Sequence, residues 1–156
     1  MTRAGVLVSN IEDISEVHYT LELNMIVLMS ALILVPVVAW FCARRFVPQF
    51  SATVTGVSLG LIVSPLSMGL YATYFLGPSG FLGPLGLVTG IIGLASLMFH
   101  GVPGFHIVRS LNLVPSGIIE GVGLVYIEIA NALVWAVVYG ALGWVVDRVR
   151  RSRVAL

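Results

Sequence analysis

Three residues in the last third of the chain have side chains able to do chemistry in an apolar setting: Glu120, Glu128 and Asn131. At 100° per residue, a helix through them turns Glu120 and Asn131 to within about 20° of each other and sets Glu128 about 80° from Glu120, so they share one polar side. The run that holds them, residues 118–146, is otherwise apolar. Glu128 stands ten residues into it, about 15 Å along a helix axis and near the middle of a bilayer. A carboxyl group at that depth is costly unless it is protonated, hydrogen-bonded or facing water, so an intramembrane acid is by default a candidate for handling a proton or a substrate. The chemistry expected is proton binding and release at Glu128, with Glu120 and Asn131 extending a polar path.

Other chemistry is thin. There is no serine beside a general base, no histidine and carboxylate pair at ligand spacing, and no phosphate-cradling loop followed by lysine, a residue type the chain lacks altogether. His100 and His106, six residues apart, do not share a helix face, and they are expected to be interfacial side chains and not metal or haem ligands. The single Cys42 allows neither an internal disulfide nor a cysteine-based zinc site within one chain. No enzyme activity, metal or cofactor is expected.

The elements that must position the acids follow from composition. The 156 residues are 58% hydrophobic and 10% charged, with a mean hydropathy of +1.04; an ordinary soluble domain carries roughly a quarter charged residues. The apolar residues fall in long blocks and not in short periodic segments, so the medium they face is itself apolar. The fold class expected is all-α, a polytopic membrane bundle of four transmembrane helices over residues 24–146, in the cell membrane. The spans are placed at about residues 24–43, 51–75, 81–99 and 118–146. Residues 1–23 precede them: Ser9 and Glu12 fit a capping box, and Ile11, Ile14, Val17, His18 and Leu21 recur at helical spacing, which describes an amphipathic segment lying at the interface. Residues 147–156 form a basic tail, and residues 100–117, holding Pro103, Gly104, Pro115 and Gly117, are expected to be a connection with its helix broken.

Small residues mark where these helices touch. Gly56 and Gly60 form a GxxxG pair in the second span; Gly83, Gly86, Gly90 and Gly93 line one face of the third, which is therefore expected to be the central packing helix. Ala132, Ala136, Gly140 and Gly143 make a seam on the flank of Glu128, which should turn that acid into the bundle. Pro36 and Pro65 are expected to kink the first two spans.

All eight basic residues are arginines. Four crossings put Arg44 and Arg45 on the side opposite Arg148, Arg150, Arg151 and Arg153, whereas the positive-inside rule wants both groups in the cytoplasm. An odd count would reconcile them, so the alternative topology is three spans with a re-entrant loop, in which the glycine-rich third block dips in and returns. A net charge of +1 gives no reason to expect nucleic acid. The partners expected are the lipid bilayer and either further copies of this chain or other membrane subunits. The function favoured is a non-enzymatic subunit or scaffold of a homo- or hetero-oligomeric membrane assembly; the alternative is a small proton-coupled transporter or ion-conducting oligomer using Glu128.

Overall fold

The computed structural model describes residue 24 and residues 27–76, 83–113 and 122–154; the amphipathic segment expected at residues 1–23 lies outside the described residues. Five helices follow in order: α1 (Val27–Phe46), α2 (Ser51–Ala72), α3 (Pro84–His100), α4 (Val102–Ser110) and α5 (Val122–Val154). Short 3-10 turns at Pro48–Phe50 and Thr73–Leu76 extend α2 at its two ends. Four stretches are long and apolar enough to cross a membrane: Val27–Phe46, Pro48–Ala72, Pro84–Ser110 and Gly123–Arg153. The protein is a multi-pass helical bundle of the cell membrane.

The helix at the centre is α2, not α3. It packs on both α5 and α3, and its glycines remove side-chain bulk where the α2 and α5 axes come closest. A Cβ at Gly56 would fall on the Tyr139 backbone, and one at Gly60 on that of Trp135. From the other side, one at Gly143 would fall on Ala52 and one at Gly140 on the Val57 side chain. Close backbone approach of this kind maximises dispersion contact, the main attraction between helices in lipid. The α3 glycines serve the same end against α2: Gly90 meets Tyr74 and Gly93 meets Leu70 and Tyr71, while Gly86 is buried. Gly83 does something else. It precedes α3 with φ of 49°, a left-handed conformation that suits a residue without a Cβ.

These pairings fix direction. Contacts advance along α2 as they retreat along α5, and likewise along α3, so α3 and α5 both run antiparallel to α2 and parallel to each other. The chain must therefore come back between them. It turns at Gly101, whose amide donates to the Leu97 carbonyl at 2.7 Å. His100 meets Trp135 and Tyr139, whereas Gly104, four residues on, meets Ile127 and Asn131, nearer the start of α5. The helix α4 stands where a broken connection was expected. Pro103 does not disrupt it because it occupies the first turn, where no amide donor is needed, and Gly104 is buried against α5, with no side chain to hold the backbones apart.

Direction also gathers charge. Met29 lies against Gly69, and Trp40 beside Thr55, so α1 is antiparallel to α2 and ends next to the α2 start. The α5 end lies there too, Arg151 standing 5.2 Å over the Phe50 ring. Arg44 and Arg45 thus share one end of the bundle with Arg148, Arg150, Arg151 and Arg153, as the positive-inside rule asks. The segment expected as a basic tail remains helical through Val154. At this end Asp147, only 3% exposed, reaches across from α5 and accepts from the Ala52 amide at 3.1 Å, the Thr53 amide at 2.8 Å and the Thr53 hydroxyl at 2.8 Å. Phe50, the residue before α2, makes no capping bond of its own, so a carboxylate from another helix takes on the free donors at the positive end of the α2 dipole.

Candidate functional site: a buried polar layer

Three helices, α2, α3 and α5, bring polar side chains together inside the bundle, those of α2 lying about 20–24 Å along it from Ser51 at 1.5 Å per residue. From α2 come Ser64 and Ser67, exposed by 0% and 1%. The Ser67 hydroxyl lies 2.6 Å from both the Val63 carbonyl and the Ser96 hydroxyl on α3. Ser96 lies 3.0 Å from Nδ1 of His100, one turn further on, and that nitrogen is also 2.9 Å from the Ser96 carbonyl. A proton on Nδ1 directed at the carbonyl leaves Nε2 to accept from the Tyr139 hydroxyl on α5, at 2.8 Å. The indole of Trp135 donates to the His100 carbonyl at 2.8 Å, and the two rings meet edge-on at 4.6 Å. A continuous chain of hydrogen-bonding groups therefore links Ser67, Ser96, His100 and Tyr139 across α2, α3 and α5.

Asn131 is fully buried, at 0% exposure. Its Oδ1 accepts from the Gly104 amide at 2.6 Å, which ties the first turn of α4 to α5. Its Nδ2 has no partner, and the same holds for Ser64 Oγ and Glu128 Oε2, all three atoms being buried. The register that sets Gly60 against Trp135 and Ala136 puts Ser64, one turn on, level with Asn131 and Ala132, and puts Ser67 level with Glu128. Donors and acceptors are both present among the three: an amide NH2, a hydroxyl and a carboxyl. Left unmet in an apolar interior, each costs about 1–3 kcal/mol.

Of the residues singled out from sequence, Glu128 is half-buried with one oxygen inside, Asn131 is wholly inside, and Glu120 lies outside the described residues. Ala136 is buried and Ala132 half-buried beside them. The expectation of two interfacial histidines needs correcting. His106 is exposed on α4, but His100 is half-buried where α3 meets α5 and is bonded to Tyr139. Among the described residues no group of three or more His, Cys, Asp or Glu side chains could hold a metal ion. Ser64, Ser67, Ser96 and Tyr139 were missed. A signal existed: Ser96 and His100 are four apart on a face shared with Gly93, and Ser64 and Ser67 are hydroxyls inside an apolar span, a setting in which polar side chains bond across helices.

No family model matches the chain, and no solved structure matches it. Among curated proteins it is similar to the molybdenum transport system permease protein ModB of Azotobacter vinelandii, with 29% identity over 126 residues, which is 78% of this chain. The chain spans about half the length of that relative, 54%.

Proposed function

We propose that this chain is the membrane-embedded subunit of a transport system, non-enzymatic itself and packed in the membrane against further copies or against other membrane subunits. The observation that carries the reading is the similarity to a permease protein, which runs along 126 residues and so through most of the bundle. The polar layer supports it. Polar side chains inside the bundle, Ser64, Glu128 and Asn131 among them, suit a protein that passes a polar solute or rearranges around one. The relative's name supplies the solute to try first. Uptake of radiolabelled molybdate by cells lacking this protein should fall and should return when the wild-type chain is supplied. Unchanged uptake would remove that solute, and a wild-type chain that purifies alone as a monomer would remove the assembly.

A second reading is a proton-coupled transporter in which Glu128 binds and releases the proton and Glu120 and Asn131 extend the path; the unpartnered, buried Oε2 of Glu128 favours it. Proteoliposomes decide it. Wild-type protein should move protons and Glu128→Gln, inserted in equal amount, should not; equal fluxes would end this reading while leaving the first intact.

A further inference from the structure

The end of the bundle that gathers the arginines also opens into two apolar grooves. One, of about 300 Å³, lies between α2 and α5 and is bordered by Trp40, Thr55, Gly56, Tyr139, Gly143 and Arg150. The other, of about 380 Å³, runs along α1 past Pro36, Val37 and Phe41, and the two meet at Trp40 and Thr55. Both lie at the lower end of the range for ligand-binding clefts, about 300–1,000 Å³. From Arg150 to Tyr139 the first groove extends eleven residues along α5, about 16 Å into the apolar zone.

We propose that this is a binding site for one anionic glycerophospholipid, its two acyl chains in the two grooves and its phosphate at Arg150 and Arg44. The occupant must be apolar along most of its length, divided in two, and negatively charged at one end. The division is set by Trp40, shared by both grooves. The charge is set by Arg150 at the mouth of one groove and by Arg44, whose guanidinium lies 4.8 Å over the Trp40 ring. Arg45, Arg148, Arg151 and Arg153 are exposed at the same end. The one described carboxylate among them, Asp147, is already engaged by Ala52 and Thr53. A zwitterionic lipid would bring its own cation into this field; a lipid with a net negative headgroup brings none. Arg44 is held by its ring in the same place where a phosphate would need it, so little side-chain freedom is lost on binding.

The site does not depend on the transport reading and is tested without transport. Wild-type protein and a Trp40→Phe variant are reconstituted into vesicles of phosphatidylcholine containing a minor fraction of either phosphatidylglycerol or phosphatidylcholine with brominated acyl chains, which quench tryptophan on contact. The wild-type minus variant difference reports Trp40 alone against Trp135 and Trp144. Brominated phosphatidylglycerol should quench Trp40 several-fold more than brominated phosphatidylcholine at the same fraction. Arg44→Gln with Arg150→Gln should bring the two lipids level. Leu59 also borders the first groove, and filling that groove with Leu59→Phe, which keeps every arginine, should also cut the preference. Equal quenching by both lipids in the wild type overturns the site. A preference that survives Leu59→Phe and disappears in high salt also overturns it, because that pattern belongs to diffuse attraction at the surface with no chain seated.

Discussion

Asp147 joins the end of one helix to the start of another, and its removal has a size that follows from its contacts. Asp147→Ala leaves the Ala52 and Thr53 amides and the Thr53 hydroxyl without their acceptor. Loss of a helix N-cap costs about 0.5–2 kcal/mol, and a further hydrogen bond from a hydroxyl contributes about 1 kcal/mol. Ala52 and Thr53 are half-buried, so water replaces part of what is lost, and the sum is about 1–2.5 kcal/mol. At about 2–4 °C per kcal/mol for a chain of this size, the midpoint of thermal unfolding in detergent should fall by roughly 2–10 °C. Asp147→Asn keeps one acceptor oxygen and should fall about half as far. The decisive measurement is the cycle with Thr53→Val, which removes the hydroxyl donor alone: the double variant should lose about 0.5–1 kcal/mol less than the sum of the two single losses. Additive losses, or an Asp147→Ala protein that melts with the wild type, would refute the cap and with it the register of α2 on α5.

Three further outcomes are expected. Gly60→Val places a side chain on the Trp135 backbone, so it should destabilise the bundle by about 1–3 kcal/mol or more; an unchanged melting midpoint would mean that the helices do not touch there. Tyr139→Phe and His100→Phe should each cost about 1–2 kcal/mol, and the pair together should cost less than their sum because one hydrogen bond is counted in both; simple additivity would argue against that bond. In a Cys42→Ala background, Gln49→Cys and Ser152→Cys should be labelled by an impermeant maleimide from the same side of the membrane, the cytoplasmic one; labelling from opposite sides would separate the two arginine groups again.

The spans themselves were readable because hydropathy over some twenty residues is a local property of the chain. So was the face of each glycine, since helical spacing decides it, and Gly56, Gly60, Gly90, Gly93, Gly140 and Gly143 all meet another helix. What hydropathy does not encode is which helix lies opposite. The α3 glycines suggested a central helix, but it is α2 with its 3-10 extension that touches three others: α1 at Gly69, α5 at Gly56 and Gly60, and α3 at Ser67 and Thr73, whose hydroxyls reach Ser96, Thr89 and the Gly86 carbonyl. Helix α4 was hidden by Pro103 and Gly104, residues that break a helix in its interior and not in its first turn. Direction was hidden for the same reason: alternation is the default for short connections, and the turn at Gly101 rests on contacts made more than twenty residues away. At the polar layer, Glu128 and Asn131 drew attention as polar residues in an apolar run. The partner of Asn131 is a backbone amide, which every residue but proline possesses, so no sequence pattern announces it.

The parallel course of α3 and α5 bears on how the chain is made. Helices emerge in order, and α1, α2 and α3 can pair as soon as they reach the membrane, since α2 already offers Gly69 to the first and Ser67 and Thr73 to the third. The glycine face of α2 stays vacant until α5 arrives, and so do the acceptors waiting for Trp135 and Tyr139. His100 and Gly104 are therefore committed late in biogenesis. The tip of the α3 and α4 hairpin has its partners on α5, so the arrival of α5 is also the step that completes the polar layer.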